Sequence, residues 1–225
     1  KRGNRFLIKA ETHISAYMLS HISRDNNNTD YKGFKHRIHP QLLFGWDLPL
    51  QKHKNNKDFF IKPAAALVIA PNKGDEGLIP NEDSNSFQFD ENDLFATNFY
   101  PGNDKLEKSN QRLDYGVDFS IKSKQTGLKT DFFIGQSLRL RKNNNFSATS
   151  GLKERWSDLV GRIGFGLTEN TNLTYSFTFN KDKFNTRRDE LSFSTQIYNN
   201  TINIGYIYLE PTTGISDERE EVHFS

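Results

Sequence analysis

Cysteine is absent from the 225 residues. That excludes a disulfide framework or a thiolate metal centre built by this chain, and leaves the redox compartment open. Long apolar runs are missing too. The longest, 64–70, lies between Pro63 and Pro71 and falls far short of the about 20 residues of a membrane-spanning helix. An excess of charge is also missing, with Lys+Arg at 30 and Asp+Glu at 28. A balanced chain has no overall field to draw nucleic acid toward it, so no nucleic-acid partner is expected. The first residue is Lys1 rather than Met, and no charged-then-apolar leader follows. The expectation is a processed or excised piece of a longer protein. No segment has convincing helical periodicity.

What the chain has in quantity is aromatic residues, 19 Phe and 8 Tyr, which argues against intrinsic disorder. Its mean hydropathy of -0.76 would suit a soluble protein. A transmembrane barrel looks the same on average, because only every second residue faces lipid. The arrangement has a period of two almost throughout. In 112–122, Leu113, Tyr115, Val117, Phe119 and Ile121 alternate with Arg112, Asp114, Gly116, Asp118, Ser120 and Lys122. In 128–141, Leu128, Phe132, Ile134, Leu138 and Leu140 oppose Lys129, Asp131, Gly135, Ser137, Arg139 and Arg141. Residues 172–180, 190–198 and 202–208 repeat the pattern, as do 6–18 and 38–50. Such alternation marks strands with one polar and one apolar face.

The expected fold class is all-β, with about nine strands and a tenth beginning near Glu220. Several strands exceed ten residues, beyond the usual 5–6 of soluble sheets and close to the roughly 9–11 of a tilted membrane-crossing strand. The expected connections, 21–33, 51–57, 71–107, 123–127, 142–157, 169–171, 181–187, 199–200 and 210–217, alternate long with short. Outer-membrane barrels show that order, with short turns on one side of the membrane and long loops on the other. An antiparallel transmembrane β-barrel segment is therefore preferred. A soluble β-sandwich or β-solenoid, serving as a binding or adhesion module, stays open because it would show the same alternation. The pair 199–200 within "YNNT" suits a two-residue hairpin, since Asn tolerates positive φ.

The longest connection carries "LIPNEDSNSFQFDENDLF" at 78–95. Ile79, Pro80, Asn81, Glu82, Asp83 and Ser84 lead through a Phe/Asp-rich stretch to Asp93–Phe95. Gly102–Glu107 and Tyr115–Gly116 follow. With "GQS" at 135–137, "SGL" at 150–152 and "SDLVG" at 157–161, these blocks resemble the LptD family of lipopolysaccharide-assembly outer-membrane proteins, over most of 34–210. "HPQLLFGWDLPL" (39–50) and "IKPAAAL" (61–67) resemble the preceding family strands. The resemblance implies that 1–225 is part of one outer-membrane barrel domain, an internal segment lacking the family's N-terminal jellyroll and further strands. It implies a non-enzymatic translocon in the Gram-negative outer membrane, without a cofactor. Its implied partners are lipopolysaccharide, outer-membrane lipid, a lipoprotein plug and the periplasmic lipopolysaccharide-transport bridge. A porin or receptor is the alternative within the same architecture.

In such a barrel the polar faces line a wet lumen. The lumen set includes Arg112, Lys122, Lys129, Arg139, Arg141 and Arg162, with Asp114, Asp118, Asp131 and Glu190. The basic members are candidates for lipid head-group contact through charge-assisted hydrogen bonds; ordinary solvated ion pairs are the blander expectation. Residues 71–107 can fold inward or outward. A loose divalent-cation site at Glu82, Asp83, Asp90 and Asp93 is a weaker alternative, because "DENDLF" lacks the Gly and Glu of an EF-hand loop. His36 and His39 are three apart and face opposite ways on a strand, so they make no zinc pair. Ser15 shares a face with His13, but no nucleophile elbow appears, so no enzyme is expected. "GRIGFG" (161–166) lies within a strand and does not have dinucleotide-loop spacing.

Overall fold

The computed structural model describes residues 3–23, 30–71, 87–100, 107, 110–141, 146–147, 149–183, 185–211 and 219–224, with the side chains of 21–23, 30 and 31 left aside. Among the described residues there are strands and no helix. In chain order these are β1 (Arg5–Ser23), β2 (Asp30–Asp47), β3 (Leu50–Lys54), β4 (Lys57–Ile69), β5 (Gln111–Ser123), β6 (Lys129–Arg139), β7 (Leu159–Thr168), β8 (Thr171–Phe179), β9 (Thr186–Ile197), β10 (Asn200–Leu209) and β11 (Arg219–Phe224). They form one antiparallel sheet in the order β1-β2-β4-β5-β6-β7-β8-β9-β10-β11, with β3 paired to β4. Neighbours in sequence are neighbours in space, so the sheet is a meander.

The count is eleven rather than nine or ten. The difference lies in 38–50, read as one run. Leu48 and Pro49 interrupt it, and the backbone resumes as β3 against the first residues of β4. Proline has no N–H for the ladder, and the Leu48 N–H is donated to the Pro63 carbonyl at 3.0 Å. Asn55 and Asn56 turn β3 into β4 with φ of 49° and 59°, the paired positive angles of a tight hairpin. At the β9–β10 hairpin the positive φ falls on Tyr198, at 54°, and not on an Asn. The first connection is shorter than expected, since β1 reaches Ser23 and β2 starts at Asp30.

Burial is inverted relative to a soluble sheet. Ile38 is 61% exposed while His39 beside it is 2%, and Met18 is 89% exposed. Phe6, Ile8, Ile14 and Phe34 are exposed on that same open face, where Phe6 pairs with Trp46, Ile8 with Phe44 and Ile14 with Ile38. On the other face Arg112, Asp114, Ser137 and Arg139 are buried. A sandwich would bury its apolar rows against a second layer. Here, among the described residues, the layer covers the polar rows instead.

That cover comes from the long connections. Parts of 87–110 and 146–158 lie against β5, β6, β7 and β8. Their Phe87, Phe89, Leu94, Phe99, Tyr100, Phe146 and Leu152 cluster with Phe133 of β6 and Val160 of β7. Small residues in the sheet make room. Gly116 pairs with Gly135, and a Cβ at Gly135 would collide with Leu94 while one at Gly116 would meet the Phe133 ring at 2.9 Å. Phe89 accepts a hydrogen bond from Thr178 of β8 through its carbonyl at 3.1 Å, and donates its N–H to Ser150 at 2.9 Å.

Candidate functional site

Two features of the covered face are built rather than incidental. The first is a buried polar network beneath the inserted segment. Glu107 receives Arg112 Nη1 at 2.8 Å and Arg139 Nη2 at 3.1 Å, while its Oε1 also accepts the Phe99 N–H at 2.7 Å. Arg112 Nε reaches Asp114 at 3.1 Å, and its remaining N–H groups go to Asn110 and the Ala96 carbonyl. Ser137 Oγ donates to Asp114 at 2.6 Å. Asn110 in turn donates to the Thr97 carbonyl at 2.7 Å. The Arg112 guanidinium lies 3.6 Å from the Phe99 ring centroid, and that of Arg139 lies 4.3 Å from Phe146. A guanidinium over an aromatic face is attracted by the ring quadrupole. Every charge here has a partner of opposite sign, which is the condition under which buried ions persist.

A second ionic cluster ties the starts of β7 and β9 to the connections. Asp158 pairs with Arg187 and accepts the Lys181 N–H at 3.2 Å, and Arg187 continues to Glu210 at 3.5 Å. Burial pushes the Asp158 carboxyl above its usual range, although Arg187 pulls it back.

The other built feature is a cleft of about 420 Å³ between the inserted segment and strands β1, β2, β4, β5, β6 and β7. Leu7, Leu43, Ala64, Ala66, Phe95 and Phe133 form its apolar part. Arg5, Lys9, Lys62 and Arg162 stand around it with Asp47, Glu91 and Asp118. Among the described residues these cations pair with half-buried carboxylates: Arg5 with Asp47 at 2.6 Å, Lys62 with Asp118 at 2.7 Å, Lys9 with Glu11 at 3.1 Å, Arg162 with Asp131 at 3.8 Å.

The acidic run of the segment lies at this cleft's edge. Asp90 donates its N–H to Asp93 at 3.0 Å, and its own carboxylate takes Asn92 N–H at 2.8 Å and Arg188 at 3.3 Å. Glu91 accepts Ser176 Oγ at 2.6 Å. Burial pushes Asp93 up to about 7, with Asp90 and Glu91 adding repulsion and Arg188 opposing it. Burial raises Glu91 as well.

The sequence-derived candidates separate accordingly. Arg112 and Arg139 face the covered side but are buried and committed to Glu107 and Asp114. Lys122 and Lys129 lie on that face beside a short turn, paired in register and exposed, while Arg162 lies on it in mid-strand, opposite Phe133 and Ser176. Arg141 is exposed just past β6. Asp118 and Asp131 are half-buried ion-pair partners, and Glu190 pairs with Arg188 at 2.7 Å. Asp93 and Phe95 belong to the inserted segment. Ile79, Pro80, Asn81, Glu82, Asp83 and Ser84 lie outside the described residues, so half of the loose cation set is beyond description. Among the described residues no three His, Asp or Glu are placed to hold a metal ion. Sequence reasoning did not single out Glu107, Asn110 or Phe99. Glu107 ends the Gly102–Glu107 element, and two Arg of matching parity on adjacent strands were the available hint that a carboxylate must meet them.

The family description "LptD: LPS transport system D" matches residues 2–222. No curated protein matches the chain.

Proposed function

The chain belongs to the LptD family of lipopolysaccharide transport proteins, and on that premise we propose that its sheet forms part of the wall of a transmembrane barrel in the Gram-negative outer membrane. The open face then meets hydrocarbon and the covered face lines the lumen. The observation that carries this reading is the inverted burial, with Met18 and Ile38 open beside a buried His39. Exposing whole apolar rows to water is unfavourable at about 25 cal/mol per Å², whereas a bilayer makes them the stable choice. The 9- to 13-residue lengths of β4 through β9 suit a tilted crossing.

Transport of this kind makes and breaks no covalent bond. The wall offers an amphiphile two environments: charged side chains for its sugar–phosphate head and apolar cover for its acyl chains. On the lumen side Lys122, Lys129 and Arg162 are the side chains free enough to meet phosphates. Arg112, Arg139 and the other buried members hold the inserted segment in place. Within this reading the remaining partners are a lipoprotein plug in the lumen and the periplasmic bridge that delivers lipopolysaccharide.

The test uses the full-length protein in cells. Lys129→Glu with Arg162→Glu is expected to lower lipopolysaccharide at the cell surface several-fold while leaving barrel assembly, read by heat-dependent gel mobility, intact. Unchanged surface lipopolysaccharide together with altered passage of small solutes favours a porin instead.

A further inference from the structure

The open face carries its apolar rows toward the short-turn end of the sheet, and one corner of that end breaks the pattern. In β3, Leu50, Lys52 and Lys54 stand opposite Ile61, Phe59 and Lys57 of β4. Lys52, Lys54 and Lys57 therefore lie on the open face, directly below Leu50, Phe59 and Ile61. At the same end of the other strands this face shows Ser123, Thr130, Phe165 and Thr195, none of them charged. The three lysines are exposed and have no ion-pair partner among the described residues. Asp58, the carboxylate beside them in sequence, lies on the covered face, where His53 and Lys124 engage it. Lys54 and Lys57 are direct cross-strand partners across the Asn55–Asn56 turn, and like charges so placed repel each other. A cationic group of this kind, at the foot of an apolar surface and left unneutralised by its own chain, is relieved by an external anion.

We propose that Lys52, Lys54 and Lys57 hold the head group of an anionic phospholipid in the periplasmic leaflet, with its acyl chains against Leu50, Phe59, Ile61 and Ile121. The idea rests on the reading of the sheet as a barrel wall, which puts the short turns at the periplasmic side. Lysine suits the place, because its methylene stem lies along apolar surface while its ammonium reaches the interface. There it gives phosphate oxygens charge-assisted hydrogen bonds. Grouped basic residues beside a membrane are drawn to anionic lipid. A zwitterionic head brings an ammonium of its own to the same spot and gains less. The committed occupant is a phospholipid of the bilayer around the wall; lipopolysaccharide offers phosphates too, and the experiment separates the two.

The full-length protein is placed in bilayers of phosphatidylethanolamine and cardiolipin in equal amounts, and the lipids that stay on it after release are weighed by native mass spectrometry. Cardiolipin is expected to be retained several-fold over phosphatidylethanolamine. Lys52→Gln, Lys54→Gln and Lys57→Gln together are expected to remove that excess. Lys32→Gln, Lys153→Gln and Lys183→Gln, the same loss of charge toward the long connections, are expected to leave it. An excess that survives the first set, or that falls equally with the second, overturns the corner. Lipopolysaccharide that displaces the cardiolipin, and that cardiolipin does not displace, also overturns it by giving the lysines to the transported lipid. A protein that needs detergent but shows no cardiolipin excess overturns the corner alone, whereas one that retains neither lipid and stays dispersed without detergent overturns the barrel reading itself. Heat-dependent gel mobility confirms that each variant is assembled.

Discussion

At the scale of single residues, Glu107 organises the covered face because two guanidinium groups converge on it. Removing one partner of a buried ion pair leaves an uncompensated charge, a loss of about 3–5 kcal/mol. Glu107→Ala is therefore expected to release 87–100 from the sheet, seen as faster proteolysis within that segment, and Glu107→Gln to do so less. Protection equal to the parent in both variants would show that the aromatic cluster alone holds the segment. Asp93 adds a pH dependence. Its folded-state value of about 7 stands above the ordinary 3.8, so between those limits the folded segment holds a proton that the undocked segment has lost. Stability then falls as pH rises through this window and is lowest above 7. Docking of 87–100 should be tighter at pH 5 than at pH 8 by hydrogen exchange, and Asp93→Asn should flatten the difference. A dependence of opposite sign would mean that Arg188, and not burial, governs the carboxyl.

At the scale of elements, the alternation of side chains was enough to place most strands, because a half-buried strand must alternate whichever face is covered. It left out β3, since Pro49 breaks a run whose parity continues on both sides. It also passed over Phe133 and Gln136, which break the pattern in β6. Phe133 turns to the covered face because the Gly116–Gly135 pair leaves a hollow for its ring. Gln136 turns to the open face, where its side chain takes the Tyr115 hydroxyl at 2.6 Å and reaches the Ser157 carbonyl at 2.8 Å. Both exceptions answer to neighbours on other strands or connections, Gly116 for Phe133 and Tyr115 and Ser157 for Gln136, which no local pattern displays. Gly135→Val should drive Leu94 out of the hollow and loosen 87–100 as Glu107→Ala does, with the strands intact by circular dichroism. On the opposite face, Ile134→Arg tests the lipid assignment: an Arg at mid-membrane costs about 2–4 kcal/mol in a barrel wall, so folding into bilayers should weaken by that amount. Ser120→Arg, on the covered face of the neighbouring strand β5, should be tolerated. Equal tolerance of both would mean that the open face does not meet hydrocarbon.

At the scale of the whole molecule, the sequence displays two faces without saying which is enclosed. Enclosure follows from where the long connections go, and their direction depends on contacts spread over 87–158: a carboxylate meeting two Arg, a glycine pair receiving Leu94, a cluster of rings. Taken together these contacts make the inserted segment a fixed lining of the sheet's covered face and not a lid. A lid needs few buried contacts and a low opening free energy, whereas this segment buries charge and aromatic rings at once. Thr97 of the segment also reaches across to Glu11 of β1, and Asp90 pairs with Arg188 of β9, so its docking spans the sheet from β1 to β9. These 225 residues hold no cysteine, so both thiols at that contact would be introduced ones. With Thr97→Cys and Glu11→Cys in the full-length protein, a short bifunctional thiol reagent should bridge the pair, and surface lipopolysaccharide should stay at the level of the unbridged variant, because a lining that never leaves the wall loses nothing by being tethered. A several-fold drop on bridging, reversed when a cleavable reagent is cut, would show that the segment must swing away from β1 for each lipid to pass, and would make the buried network a latch.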